Sequence, residues 1–146
     1  MASAIPNSAK ANLMNGTIDL DTNTIKARLV MSNTTCDTEV DGITHLSNYT
    51  NIDPSDATGY ADVTLTVTVA AVDASDWAKF DANDISFTGL SGNATRDYQG
   101  ILIYKYVDGT NANDIPVCFV DFGGNIAKTA TQVDVTFDAA GIMKLA

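Results

Sequence analysis

A chain of 146 residues with 45% hydrophobic and 18% charged side chains has the composition of a folded domain, not of a disordered one. Its formal net charge of -10 excludes the usual nucleic-acid binder, because an acidic surface repels phosphate and lacks a Lys/Arg stripe. Glu39 is the only Glu among the acids, and Asp, Asn and Thr are abundant. Asp and Asn favour turns and Thr favours strands, so the composition predicts a mainly all-β protein.

The opening MASAIPNSAK lacks the basic and apolar regions of a secretory signal, and no apolar run approaches the roughly 20 residues that span a membrane. Synthesis in the cytosol, and no membrane partner, are therefore expected. Residues 2–7 form a small-residue arm around Pro6 with nothing of its own to pin it, and such arms are disordered or lie on a neighbour. From Asn7 or Ser8 a helix of barely two turns is predicted, with a capping side chain at its start and Gly16 just past its end. A helix this short must be held by packing, here of Leu13 and Met14.

Ile25, Ala27, Leu29 and Met31 alternate with Lys26, Arg28 and Val30, which predicts a strand with one inward and one largely polar face. Residues 33–58 are irregular, with isolated Ile43, Leu46, Tyr49 and Ile52; a loop of that length is functional or carries short structure of its own. DVTLTVTVAAV over residues 62–72 has the cleanest alternation, placing Val63, Leu65, Val67 and Val69 on one buried face against Thr64, Thr66 and Thr68. Two short strands follow, 77–80 and 85–88, around the turn Asp81-Ala82-Asn83-Asp84.

Residues 98–122, YQGILIYKYVDGTNANDIPVCFVDF, hold two dense apolar runs and read as a central antiparallel pair. The tract between them, 108–114, carries Asp108, Gly109, Asn111, Asn113 and Asp114 and is expected to project as a surface loop. Gly123-Gly124 reads as a strand-terminating turn, Val133, Val135 and Phe137 as the buried side of a further strand, and 142–145 as the close. Strand signals at this spacing predict a single-domain antiparallel β-sandwich, jelly-roll-like, of seven or eight strands. The expected layout is an N-terminal arm over residues 1–10 and one β-sandwich domain over 11–146.

No motif selects a catalytic residue, and neither a cofactor nor a metal is expected. Carboxylates pair at Asp19/Asp21, Asp73/Asp76 and Asp81/Asp84, but nothing favours one pair for acid/base work, and turns account for them all. His45 is the only histidine and has no nucleophile that sequence can assign to it. Asp19-Leu-Asp21-Thr-Asn23 opens like a calcium loop and then fails, with Thr24 in place of the turn Gly and Val30 in place of the bidentate Glu. Cys36 and Cys118 read as free and inert, since cytosolic disulfides are rare. Trp77, Phe80, Phe87, Tyr104, Phe119, Phe122 and Phe137 read as core; a carbohydrate-binding β-sandwich is the alternative that these aromatics and the carboxylates raise.

Several stretches taken in order carry a resemblance. The short helix followed by GTIDLDTNTIKARLVMS, Gly59-Tyr60 before a strand, WAKFDANDISFTGL, Arg96 before YQGILIYKY, IPVCFVDFGG and the closing VDVTFDAAGIMKLA resemble a widespread family of small tailed-bacteriophage virion proteins. The likeness runs from about Ala11 to Leu145 and consists of strand patterns. Relatives often carry Trp in the strand after FDA-x-D, where this chain has Phe87, and residues 33–58 match least.

The resemblance implies a β-rich capsid decoration or cement protein on the exterior of the virion. Such proteins are typically homotrimers whose partner is the major capsid protein. A tail, neck or fibre component is the structural alternative. Candidate partner-binding residues lie in the arm, at Ile5, Pro6 and Asn7, and in the irregular loop, at Leu46, Tyr49 and Ile52.

Overall fold

The computed structural model describes residues 3–72 and 77–145, apart from the side chains of 71, 72, 77 and 145. In chain order the elements are α1 (Asn7–Met14), β1 (Ile25–Met31), a 3-10 turn (Leu46–Asn48), β2 (Val63–Thr64), β3 (Val67–Val72), β4 (Trp77–Ala82), β5 (Ile85–Phe87), β6 (Tyr98–Lys105), β7 (Ile115–Ile126), β8 (Val133–Val135) and β9 (Met143–Leu145). The protein is all-β with one short helix, and its strands pair antiparallel. They form a central sheet in the order β2-β1-β6-β7, a three-stranded sheet β3-β4-β9 and a pair β5-β8.

The central sheet is buried on both faces, and period two divides its side chains between two hydrophobic cores. Leu29, Ile101, Ile103 and Val120 point into the larger core, where Phe80, Phe87 and Val133 from the other two sheets and Phe137, just past β8, cover them. Val30, Leu102, Tyr104 and Phe119 point the other way, into a second core closed by Ala4, Cys36, Ile43, Leu46, Tyr49 and Ile52. Two-sided burial explains why the 101–104 run is apolar without alternation. It also corrects the expectation of a largely polar second face on β1, because Val30 is fully buried there. Gly100 is required where β6 meets β7: a Cβ at this position would lie 2.3 Å from the Val120 carbonyl oxygen and 2.7 Å from the Phe119 ring.

The segment 62–72 is not one strand with one buried face. Residues 63–64 pair with β1, and Leu65 N–H donates to the Ile25 carbonyl at 2.9 Å, before the chain leaves for the other sheet and pairs with β4. Leu65 is buried, but Val69 is 48% exposed, because β3 stands at the edge of its sheet. The helix also differs in detail. No side chain caps it, Ser8 Oγ donating instead to the Ile43 carbonyl, and Met14 is 84% exposed while Ala9 is the residue it buries. Gly123 and Gly124 do not end a strand; β7 continues through them to Ile126, with Gly123 at φ 72° and its N–H on Asp121 Oδ1 at 2.6 Å.

Candidate partner-binding surface

The arm is pinned to the chain's own sheet. Ser3 N–H donates to the Phe119 carbonyl at 2.7 Å, Phe119 N–H donates to the Ala4 carbonyl at 2.8 Å, and Asp121 N–H reaches Ser3 Oγ at 3.0 Å. These bonds blunt the outer edge of β7. They replace the expectation of an arm that is disordered or lies on a neighbour. Asn7 then ties the arm to the irregular loop: its N–H donates to the Val40 carbonyl at 2.9 Å and its side-chain amide to Asp41.

Residues 33–58 close the second face of the central sheet, fastened by polar side chains. Met31 N–H donates to the Asp53 carbonyl at 2.8 Å and Ser55 N–H to the Leu29 carbonyl at 2.9 Å, so 53–55 lies along the end of β1. Asp53 holds the bend at φ 53°, a left-handed conformation that Asp tolerates through local hydrogen bonding. Its buried carboxylate accepts Asn33 N–H at 2.9 Å and Arg96 Nε at 3.0 Å, and Arg96 Nη2 makes a second contact. Glu39 accepts Thr50 N–H at 2.8 Å and Thr35 Oγ1 at 2.9 Å; hydrogen bonds from Thr50 and Thr35 hold this carboxyl below its ordinary range.

A second polar assembly lies where β1, β6 and the approach to β2 meet. Arg28 donates to Asp62 Oδ2 from Nε and Nη2, at 3.1 and 2.9 Å, and from Nη1 to Asn111 Oδ1 at 2.8 Å. Tyr104 Oη donates to Asp62 Oδ2 at 2.6 Å, Tyr60 Oη donates to Asp62 Oδ1, and Leu29 N–H donates to Tyr60 Oη at 2.9 Å. Burial pushes the Asp62 carboxyl up, but donors from Arg28, Tyr104 and Tyr60 together with the Arg28 charge outweigh it, and the group is held below the usual carboxylate range. Burial and the same carboxylate raise both tyrosines. The 108–114 loop does not project as a whole: Asp114 is fully buried, and its Oδ1 accepts the N–H groups of Val107, Asp108 and Gly109 at 2.8, 3.3 and 3.3 Å.

Of the six expected contact residues, the fold brings the arm and the loop together but turns most of the side chains inward. Leu46, Tyr49 and Ile52 belong to the second core, so they present no surface to a partner in this fold. Pro6 is buried, Ile5 is half-buried against the larger core, and Asn7 alone is exposed. What faces outward beside Asn7 is a shallow recess of about 300 Å³ lined by Thr38, Glu39, Val40, Asp41, Ile43 and Asn48. It offers one hydroxyl, one amide and two carboxylates beside the apolar Val40 and Ile43, a mixture suited to an uncharged or basic surface. Sequence reasoning missed Arg28, Asp53, Tyr60 and Asp62 as the residues that organise this side; Gly59-Tyr60 and Arg96, singled out within family-like stretches, were the available signal.

The other motifs take bland places. Asp19 Oδ1 accepts Asp21 N–H at 3.0 Å and Thr22 N–H at 3.3 Å, a turn. Asp81 pairs with Lys79 at 3.1 Å and Asp84 accepts Phe137 N–H at 2.9 Å; Asp73 and Asp76 lie outside the described residues. His45 is half-exposed with Nδ1 against Thr44 Oγ1 at 3.1 Å. Both cysteines are free and buried, and burial pushes each thiol up to about 12. Among the described residues no group of three or more His, Cys, Asp or Glu is placed to hold a metal ion, and no helix is long and apolar enough to cross a membrane. No family model, curated protein or solved structure matches the chain.

Proposed function

We propose that this chain is a virion structural protein of a tailed bacteriophage, a capsid decoration protein that binds and stabilises adjacent major capsid subunits from outside the shell. The observation that carries the reading is the joined surface of arm and loop, where Asn7 bonds Val40 and Asp41 beside an exposed polar recess. A clamp needs a scaffold that does not deform, and a sheet buried on both faces with its loops stitched by Asp53 and Asp62 supplies one. The net charge of -10 suits a position away from packaged DNA. The family likeness supplies the partner.

Cryo-electron microscopy of the particle tests the proposal. Density over the shell at the junctions of capsid subunits is expected, with hundreds of copies per particle by quantitative protein analysis. Density confined to tail or neck would replace it with the tail, neck or fibre reading. Among the described aromatics, Phe80, Phe87, Tyr104, Phe119 and Phe137 are spent in the two cores and Phe122 is half-buried, so they lend the glycan-binding alternative no support; the Trp77 side chain lies outside the described residues.

A further inference from the structure

Three dipeptides in the chain place a side-chain carbonyl directly before glycine: Asn15-Gly16, Asp41-Gly42 and Asp108-Gly109. In such pairs the glycine nitrogen can reach the preceding side chain, because no Cβ hinders the approach. The fold treats the three differently. Asp108 Oδ1 accepts Thr110 N–H and Oγ1 at 2.9 and 2.8 Å, its Oδ2 accepts Asn113 Nδ2 at 2.6 Å, and Gly109 N–H donates to Asp114 Oδ1 at 3.3 Å, so this pair is locked. Asp41 is tied to the Asn7 amide. Both also carry a carboxyl group, which once ionised is a poorer electrophile than a carboxamide.

Asn15-Gly16 is open. Asn15, Gly16 and Thr17 are all exposed, and a Cβ at Gly16 would meet nothing within 4 Å beyond its chain neighbours. Among the described residues no backbone hydrogen bond engages Gly16 N–H, although Asn15 N–H is held by the Ala11 carbonyl and Ile18 N–H by the Asn12 carbonyl, both at 3.0 Å. Asn15 Oδ1 accepts Thr17 N–H at 2.9 Å. That bond turns the side chain toward the Gly16 peptide and sets a donor on the oxygen that becomes negative when the amide carbon is attacked. Ring closure requires rotation about ψ of Asn15, which stands at 0°, and the exposed, unbonded Gly16 peptide does not oppose it.

We propose that Asn15 is a self-modification site, which deamidates in the folded protein through a cyclic imide. The Gly16 nitrogen gives its proton to solvent and forms a bond to Asn15 Cγ; the Cγ–Nδ2 bond breaks, and Nδ2 takes up a proton and leaves as ammonia. Water then opens the ring at either carbonyl. The product is an aspartyl residue, or an isoaspartyl residue whose main chain runs through Cβ and Cγ. Either one puts a negative charge at the C-terminal end of α1, where the helix dipole disfavours an anion. The isoaspartyl form also lengthens the main chain between Asn12 and Ile18, which are joined by a hydrogen bond, and Ile18 is buried in the larger core. This chemistry belongs to the chain whether or not it sits on a phage shell.

Peptide mapping by mass spectrometry tests this on the full chain aged in mildly alkaline buffer, with isoaspartyl content followed by enzymatic methyl transfer. The expected result is that aspartyl and isoaspartyl products appear first at residue 15, ahead of every other Asn and of Asp41 and Asp108, while circular dichroism still reports native protein. Asn15→Gln, which would need a larger ring, should give no product at this position. In the isoaspartyl form the Ile18 amide should exchange faster than in Asn15→Asp, which carries the charge without the longer main chain. An Asn15 that stays intact in the native chain while it converts in urea overturns the proposal, because the fold then protects the site. Conversion that begins at another residue, or that is confined to protein which has lost its native circular dichroism, overturns it as well.

Discussion

Ile101 and Leu102 are consecutive residues of β6, both fully buried, and they are covered by different kinds of structure. Ile101 faces the core made with the other sheets, whose elements are secured by backbone ladders. Leu102 faces the core closed by the arm and by 33–58, which are held by short backbone bridges to Phe119, Met31 and Leu29 and by the carboxylates of Asp53 and Glu39. Ladders form cooperatively along a strand. Short bridges and side-chain fastenings act one at a time, and the Glu39 carboxylate, held low by its donors from Thr50 and Thr35, loses them in acid. The loop-covered side should therefore open more readily, and more so in acid, than the strand-covered side.

Truncating the pair gives the largest effect. Ile101→Ala should cost about 4 kcal/mol and Leu102→Ala about 3 kcal/mol in urea unfolding, because the irregular cover can collapse further into the space left. Equal or reversed costs would break the comparison.

Asp62→Asn should cost about 2 kcal/mol at neutral pH, since it leaves Arg28, with 12% of its side chain exposed, without its charge partner. Its pH dependence has a defined sign. Asp62 is held below the usual carboxylate range in the folded state, so its contribution is present above the range in which the unfolded carboxyl titrates and is lost as pH falls through the lowered folded range. The gap between wild type and Asp62→Asn should then narrow on acidification, measured as urea midpoints across pH; a constant gap would assign the loss to packing.

Arg96→Ala removes a half-exposed partner of Asp53, and about 1 kcal/mol is expected. The more telling readout is hydrogen exchange, with amides of 33–58 losing protection while those of β6 and β7 keep theirs. Finally, the two thiols report on the two faces without any mutation. Both are pushed up to about 12 and buried, so neither should react in the native state at pH 8. Under mild denaturant Cys36, in the loop-covered core, should label at least about tenfold faster than Cys118, which needs global unfolding. Equal rates would mean that the two faces open as one unit.

Much of the fold was legible in the residues. The 98–122 pair, the inward face of β1 at Ile25, Ala27, Leu29 and Met31, and the buried Val133, Val135 and Phe137 all stand where alternation puts them. The candidate surface was legible only as two segments, the arm and the loop. Leu46, Tyr49 and Ile52 read as contacts because isolated apolar residues in a polar loop carry no period, so nothing local says which way they point.

By itself, then, the sequence determined the strand class and which residues can share a face, because periodicity and turn chemistry are properties of a few adjacent residues. Tertiary structure alone decided what covers each face. It folded 33–58 onto Leu102 and Phe119, buried Asp114 under three backbone donors, pinned Ser3 and Ala4 to β7, and split 62–72 so that Val69 came to an open edge. Those outcomes depend on contacts between residues far apart in the chain, whose loop-closure cost is recovered only when the whole core forms, and no local pattern encodes them.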